Sequence, residues 1–381
     1  MKKITYIHNA QLVLERGILW DGAMILADGK IQAFGKEKDL EAPIGAAVID
    51  AGGAYVGPGF VDIHVHGGGG FSTCLEPKQA AEHFLAHGET SILAGPAYSM
   101  DFQETMEAIA TTNAAMPEAR TVRGLYLEGP FTNPMYGAMA DLNPWRREIP
   151  PEEFKQFVDA AGTNARVWTI APERPDVMPF LQYARQVNPN VMFAVGHSNA
   201  TPMQIRALGN YRPTIQTHAF DATGRQPVPL GTRGYGPDEY CLRTPEVYNE
   251  LICDSCGQHV HPEMQQLMLH CKGAERIILI TDSTNYDYPN PPELAHVTDL
   301  NFDHKGDLCG SKMTMDQACR NMMESTNAGI AQVFLMAATN PARAVGLEEL
   351  GVIETGKNAD LVITDDRFHI QRVLVDGQVR Y

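Results

Sequence analysis

The sequence is short of cations, of paired cysteines and of long apolar runs. Thirty Lys and Arg face 46 Asp and Glu, for a formal net charge of −16. Nucleic acid and anionic membrane both require basic patches, so neither is an expected partner. A small anionic substrate needs only one or two local cations and stays open. Seven cysteines are scattered without zinc-finger spacing, a pattern that suits buried thiols in a reduced, cytoplasmic protein better than a disulfide framework. Cys253 and Cys256 form a Cys-x-x-Cys, but no redox βαβ start surrounds them. The first residues, Met-Lys-Lys-Ile-Thr-Tyr, are too polar for a signal peptide. No apolar run reaches membrane-spanning length, and no internal repeat is present.

What is present is a change of rhythm along 381 residues. Residues 1–56 read as short strands (4–7, 11–14, 23–27 and 30–34) separated by the turn signals Arg16-Gly17, Asp21-Gly22 and Asp28-Gly29. The last thirty-odd residues repeat the pattern, with Asp376-Gly377 as a turn. Neither end carries enough strand to bury a core alone, so 1–56 and 347–381 are expected to combine into one small β-sandwich domain. Between them, strands at 60–66, 91–94, 123–128, 167–171, 192–196, 214–218, 251–253 and 276–281 alternate with helices. The helices are expected at 78–86, 102–115, 151–161, 176–186, 202–208, 263–271 and 315–325. Eight such units predict an α/β fold, a (β/α)8 TIM barrel over 57–346. The long Pro- and Gly-rich connections 130–150, 219–245 and 283–297 all follow strands, where a barrel builds its active site.

The strand ends carry the chemistry. The first ends in His64-Val65-His66 before four glycines. Residues i and i+2 of a strand share a face, so the two imidazoles project side by side. Alone, the pair reads equally as two ordinary histidines near a turn. The third strand ends in Glu128, the fifth in His197 and the sixth in His218; the seventh is followed by His259 and His261, and the eighth ends in Asp282. In a parallel barrel these ends share one rim. Metal-competent side chains at that many strand ends are hard to explain as packing, and imidazole with carboxylate suits a divalent ion such as zinc, iron, nickel or manganese.

With these residues in place the chain resembles the amidohydrolase superfamily and, within it, the N-acetylglucosamine-6-phosphate deacetylases. The resemblance rests on Pro-Gly-Phe-Val-Asp-Ile-His-Val-His-Gly, Leu-Glu-Gly-Pro-Phe, Gly-His-Ser-Asn-Ala-Thr and Gly-Ser-Lys-Met-Thr-Met-Asp-Gln-Ala, in that order. Thr-Asn-Pro-Ala-Arg and Gly-Lys-Asn-Ala-Asp-Leu-Val, near the C-terminus, are shared more widely. It implies metal-dependent hydrolysis of an N-acetyl amide on an amino sugar phosphate. Glu128, His197 and His218 are implied as ligands of one ion, with His64 and His66 completing a second site that Glu128 bridges. Asp282 is implied as general base and acid for a metal-activated water. The implied substrate contacts are His259 (with His261 as rival), Ala138, Met139, Asp221, Ala222, Arg225, Leu308 and Gly310. A homodimer is expected by analogy. The superfamily's bridging carboxylated lysine has no candidate after the fourth strand, which runs into Ala171-Pro172-Glu173.

Two positions depart from the family. Where a Gly-Ala-His is usual, this chain has Gly137-Ala138-Met139, and methionine donates no strong hydrogen bond. Asp221 stands where an asparagine is usual near the sugar phosphate, and its charge opposes a phosphate dianion. Gly224-Arg225 survives, Arg233 offers a further cation, and Gln226-Pro227-Val228-Pro229 departs from the usual loop. These residues motivate an alternative, a related amidohydrolase acting on another N-acyl amine, dipeptide or cyclic amide. An inactive scaffold paralogue is the third reading, disfavoured by the complete ligand set.

Overall fold

Eight parallel strands order the computed structural model, which describes residues 4–97, 99–226 and 234–381. They are β1 (Phe60–Val65), β2 (Glu89–Ala94), β3 (Val122–Leu127), β4 (Ala165–Ile170), β5 (Met192–Val195), β6 (Ile215–Gln216), β7 (Tyr248–Ile252) and β8 (Ile277–Ile280), each hydrogen-bonded to the next in that order. Past their ends the first and last strands meet: Asp282 N donates to His64 O at 3.0 Å, and His66 N donates to Ser283 O at 2.8 Å. The ring so formed is a TIM-like barrel. Its strands are buried on both faces because helices cover the outside and side chains fill the inside.

The covering helices fall close to the expected positions: Pro77–Leu85, Phe102–Ala115, Pro151–Ala161, Val177–Val187, Pro202–Ala207, Pro262–Lys272 and Met315–Thr326. Local chemistry sets their starts. Asp101 with Glu104, and Thr201 with Gln204, form reciprocal capping boxes, and proline opens four of the seven.

Helical segments also occur where none was expected. Pro237–Arg243 lies in the connection after β6. Ile330–Phe334 runs through a π-helical turn, Leu335–Thr339, into Asn340–Ala344. That turn is buried on every side, so it has no amphipathic stripe for periodicity to detect. It packs between β1, β8 and the helices flanking it.

Strands from both chain ends join in one further eight-stranded sheet. Tyr55–Pro58 pairs with Ile4–Leu14 on one side and with Leu361–Thr364 on the other. Ile7, Leu12, Met24, Val56, Leu361, Ile363 and Leu374 are its core. Asp28-Gly29 and Asp376-Gly377 turn as expected, all four residues at positive φ. Asp21-Gly22 does not: it lies inside Gly17–Ala27 as an irregularity, where a Cβ on Gly22 would stand 2.6 Å from the Leu12 side chain. Close strand approach, not a turn, calls for that glycine.

Candidate metal centre

The barrel brings the six strand-end residues together. His64 is on β1 and His66 just beyond it, Glu128 follows β3, and His197, His218 and Asp282 each lie two residues past β5, β6 and β8. Those last three have positive φ, at 44°, 22° and 46°. Three non-glycine residues in a sparsely populated backbone region around one cavity is the pattern of a functional site.

Glu128 is the centre of the cluster, one oxygen to each side. Its Oε1 lies 2.7 Å from His197 Nε2 and 2.8 Å from His218 Nε2. Its Oε2 lies 3.0 Å from His66 Nε2 and 3.5 Å from His64 Nε2. Asp282 Oδ1 faces the second pair, 3.3 Å from His66 Nε2 and 3.7 Å from His64 Nε2. Two overlapping ligand sets result, His64, His66, Glu128 and Asp282 on one side and Glu128, His197 and His218 on the other.

The rings are held from behind. Nδ1 of His66 donates to Gly95 O (3.0 Å), that of His197 to Tyr136 O (2.9 Å), that of His218 to Asp221 O (3.3 Å), and that of His64 to Glu250 Oε2 (3.0 Å). With Nδ1 committed as donor, every Nε2 presents its lone pair to the shared centre. His64 Nε2 is buried with no hydrogen-bond partner, which fits a nitrogen placed to ligate a cation.

Burial and the facing charges set the electrostatics. Burial opposes charge on His64 and His66, but Glu128, Glu250 and Asp282 outweigh it for the former and Asp282 and Glu128 for the latter, raising both to about 10. His218 is raised to about 9, again against burial and chiefly by Glu128. Burial pushes Glu128 and Asp282 up, yet the facing imidazoles hold both below the usual carboxylate range. The cluster is built to balance carboxylates with positive charge, and nitrogen with oxygen donors in this arrangement suits a divalent metal.

Above the cluster lies a cavity of about 260 Å³. Ala138, Met139, Asp221, Ala222, Leu308 and Gly310 line it, joined by Leu75, Met100, Tyr286 and Cys309. No Lys or Arg lines it among the described residues. Arg225 stands outside the lining, half-exposed and 3.7 Å from Glu239. Arg233 and Pro227-Val228-Pro229 lie outside the described residues. His259 is buried behind the lining, its Nε2 bonded to Gly310 O and its Nδ1 to Asp254, each at 3.1 Å. His261 instead caps Pro262–Lys272 from an exposed position, accepting from Glu263 N. Glu173 serves the frame: it accepts from Asn133 Nδ2, Ser198 Oγ and Asn199 N.

Residues 259–380 match the amidohydrolase family. Over 393 residues, covering 99% of each chain, the sequence is 29% identical to an N-acetylgalactosamine-6-phosphate deacetylase of Escherichia coli O157:H7. It is 28% identical to an N-acetylglucosamine-6-phosphate deacetylase of Lysinibacillus sphaericus over 93% of this chain and 92% of that one. A solved N-acetyl-D-glucosamine-6-phosphate deacetylase mutant from Mycobacterium smegmatis, in complex with that sugar phosphate, superposes with a TM-score of 0.83 over 99% of each chain at 27% identity. Over nearly its full length the chain is similar to these deacetylases, at 27–29% identity. These similarities, with the buried His/Glu/Asp cluster, support a metal-dependent carbon–nitrogen amide hydrolase. Among the described residues no helix is long and apolar enough to cross a membrane.

Glu250 escaped the sequence reading. The seventh strand is expected at 251–253, whereas β7 starts at Tyr248 and takes in Glu250. A charged residue directly before the apolar run Leu251-Ile252-Cys253 was the signal.

Proposed function

We propose that this amidohydrolase removes the N-acetyl group of an amino sugar phosphate of the N-acetylhexosamine 6-phosphate class. The observation that carries the reading is Glu128, with one carboxylate oxygen toward His64 and His66 and the other toward His197 and His218. These five residues are the proposed ligands of one or two divalent ions, zinc, iron, nickel or manganese. A bound ion supplies Lewis acidity for the amide carbonyl and lowers the pKa of an attacking water towards about 7. Asp282 faces that position and, kept ionised, takes the water's proton and returns it to the leaving nitrogen. Apolar walls from Leu75, Met100 and Leu308 shield the acyl end. His259, rather than His261, is the proposed histidine on the substrate side, because only it is buried against the cavity wall.

A second reading keeps the centre and changes the substrate to another N-acyl amine, dipeptide or cyclic amide. It is favoured by Asp221 and Met139 at the lining and by the lack of Lys or Arg there among the described residues. Turnover of N-acetylglucosamine 6-phosphate and N-acetylgalactosamine 6-phosphate, beside the unphosphorylated sugars and N-acyl amino acids, separates the two. No turnover of any phosphosugar removes the first reading. We further propose a cytoplasmic homodimer, with 1–56 and 347–381 as one small domain beside the barrel of 57–346.

A further inference from the structure

We propose that Glu250 is the positioning residue of the metal centre, fixing His64 so that the His64/His66 side binds its ion; this rests on the metal reading above. Glu250 sits on β7, and its carboxylate reaches the imidazole of β1 within the barrel. Both side chains are fully buried. One oxygen, Oε2, accepts from His64 Nδ1 at 3.0 Å and from His218 N at 3.1 Å, so a single atom ties a ligand of each side to a third strand. The opposite constraint on His64 is Tyr126, whose ring stacks on the imidazole with centroids 4.2 Å apart. Held by the carboxylate at Nδ1 and by the phenol ring on its face, His64 points Nε2 into the cluster, where it has no hydrogen-bond partner.

His64 is unlike the other three histidines of the cluster. Their Nδ1 atoms donate to neutral backbone carbonyls, whereas His64 donates to a carboxylate. An anionic partner makes an imidazole a stronger donor to a cation than a carbonyl does. The second Glu250 oxygen, Oε1, is buried with no hydrogen-bond partner. A neutral side chain would serve a purely structural role without leaving a buried charge half-satisfied. A carboxylate rather than a neutral side chain at this position fits a cation held through His64.

The test is titration of metal-free protein with cobalt(II) alone, following its visible absorption and the bound stoichiometry. Wild type is expected to bind two ions. Glu250→Gln should weaken one of them by roughly 10–100-fold and leave the other nearly unchanged. Glu250→Asp, which keeps the charge but withdraws it from His64, should weaken the same ion and covers the case in which the glutamine variant does not fold. In a His64→Ala background, Glu250→Gln should add no further loss. Equal cobalt affinity in wild type and both Glu250 variants overturns the proposal, as does an additive loss in the His64→Ala background. Wild type that binds no cobalt removes the metal reading itself and this inference with it.

Discussion

The floor and the mouth of the cavity are built differently. On the floor, His64, His66, Glu128, His197, His218 and Asp282 stand at the ends of hydrogen-bonded barrel strands, and all are buried. At the mouth, Met139 is held in a left-handed conformation (φ 50°) by a bond from its N to Asp303 Oδ2, in the turn between Leu300–Phe302 and Leu308–Ser311. Asp141 is tied to the same turn through Lys305 (2.8 Å) and His304 (3.2 Å). The floor's geometry follows from the fold. The mouth depends on a few side-chain bonds between loops that another sequence could rearrange. The chemistry therefore rests on the strand ends of the barrel, and substrate choice on the loops above them.

The sharpest way to break that contrast is at Glu128, the one residue in both ligand sets. Glu128→Ala should empty the centre of metal and abolish amide hydrolysis, as measured by metal analysis and turnover together. Metal retained at wild-type level would mean that the two sides do not share this ligand. Next comes Asp282→Asn, expected to lower kcat by roughly 10²–10⁴ with metal content largely intact. Loss of metal in step with activity would make Asp282 chiefly a ligand. A weaker effect is expected at the mouth. Asp303→Ala takes the acceptor from Met139 N, Lys305 N and Asp307 N, which should destabilise the protein by about 1–3 kcal/mol. KM should rise with kcat little changed, read from denaturant unfolding and steady-state kinetics. A collapse of kcat would show that the floor leans on the mouth.

The same contrast governs what could be read before the structure. Strand ends are set by aliphatic runs that stop at a polar residue, so His64, Glu128, His197, His218 and Asp282 were legible from local sequence. Glu250 was not, because the stopping rule that found the ligands treats a charged residue inside a run as its boundary. The π-helical turn at Leu335–Thr339 was missed because burial on every side erases the periodicity that marks a surface helix. At the mouth, Arg225 could be named as an anion ligand but not placed. Its distance from the cavity depends on the path of a long connection, and in the structure it stands by Glu239 outside the lining. Loop position comes from long-range bonds such as Met139 to Asp303, which are 164 residues apart in sequence.

The smallest expected effect is the most direct test of substrate choice. Asp221 lines the cavity, and no Lys or Arg among the described lining residues offsets it. A phosphate dianion bound within a few ångströms of that carboxylate in a wet cavity meets a repulsion of about 1 kcal/mol, roughly fivefold in KM. Asp221→Asn should therefore lower KM for N-acetylhexosamine 6-phosphates by about that factor and leave the unphosphorylated sugars unchanged. Raising the salt concentration should shrink the difference, since an exposed charge pair is screened within a Debye length of about 10 Å at 0.1 M. His218 Nδ1 donates to the Asp221 backbone carbonyl, which the substitution retains, so the position of the ring should not respond. An equal change for charged and uncharged substrates would place the effect in His218 and the metal centre. Improvement confined to phosphosugars would assign the mouth to an anion that this carboxylate holds back.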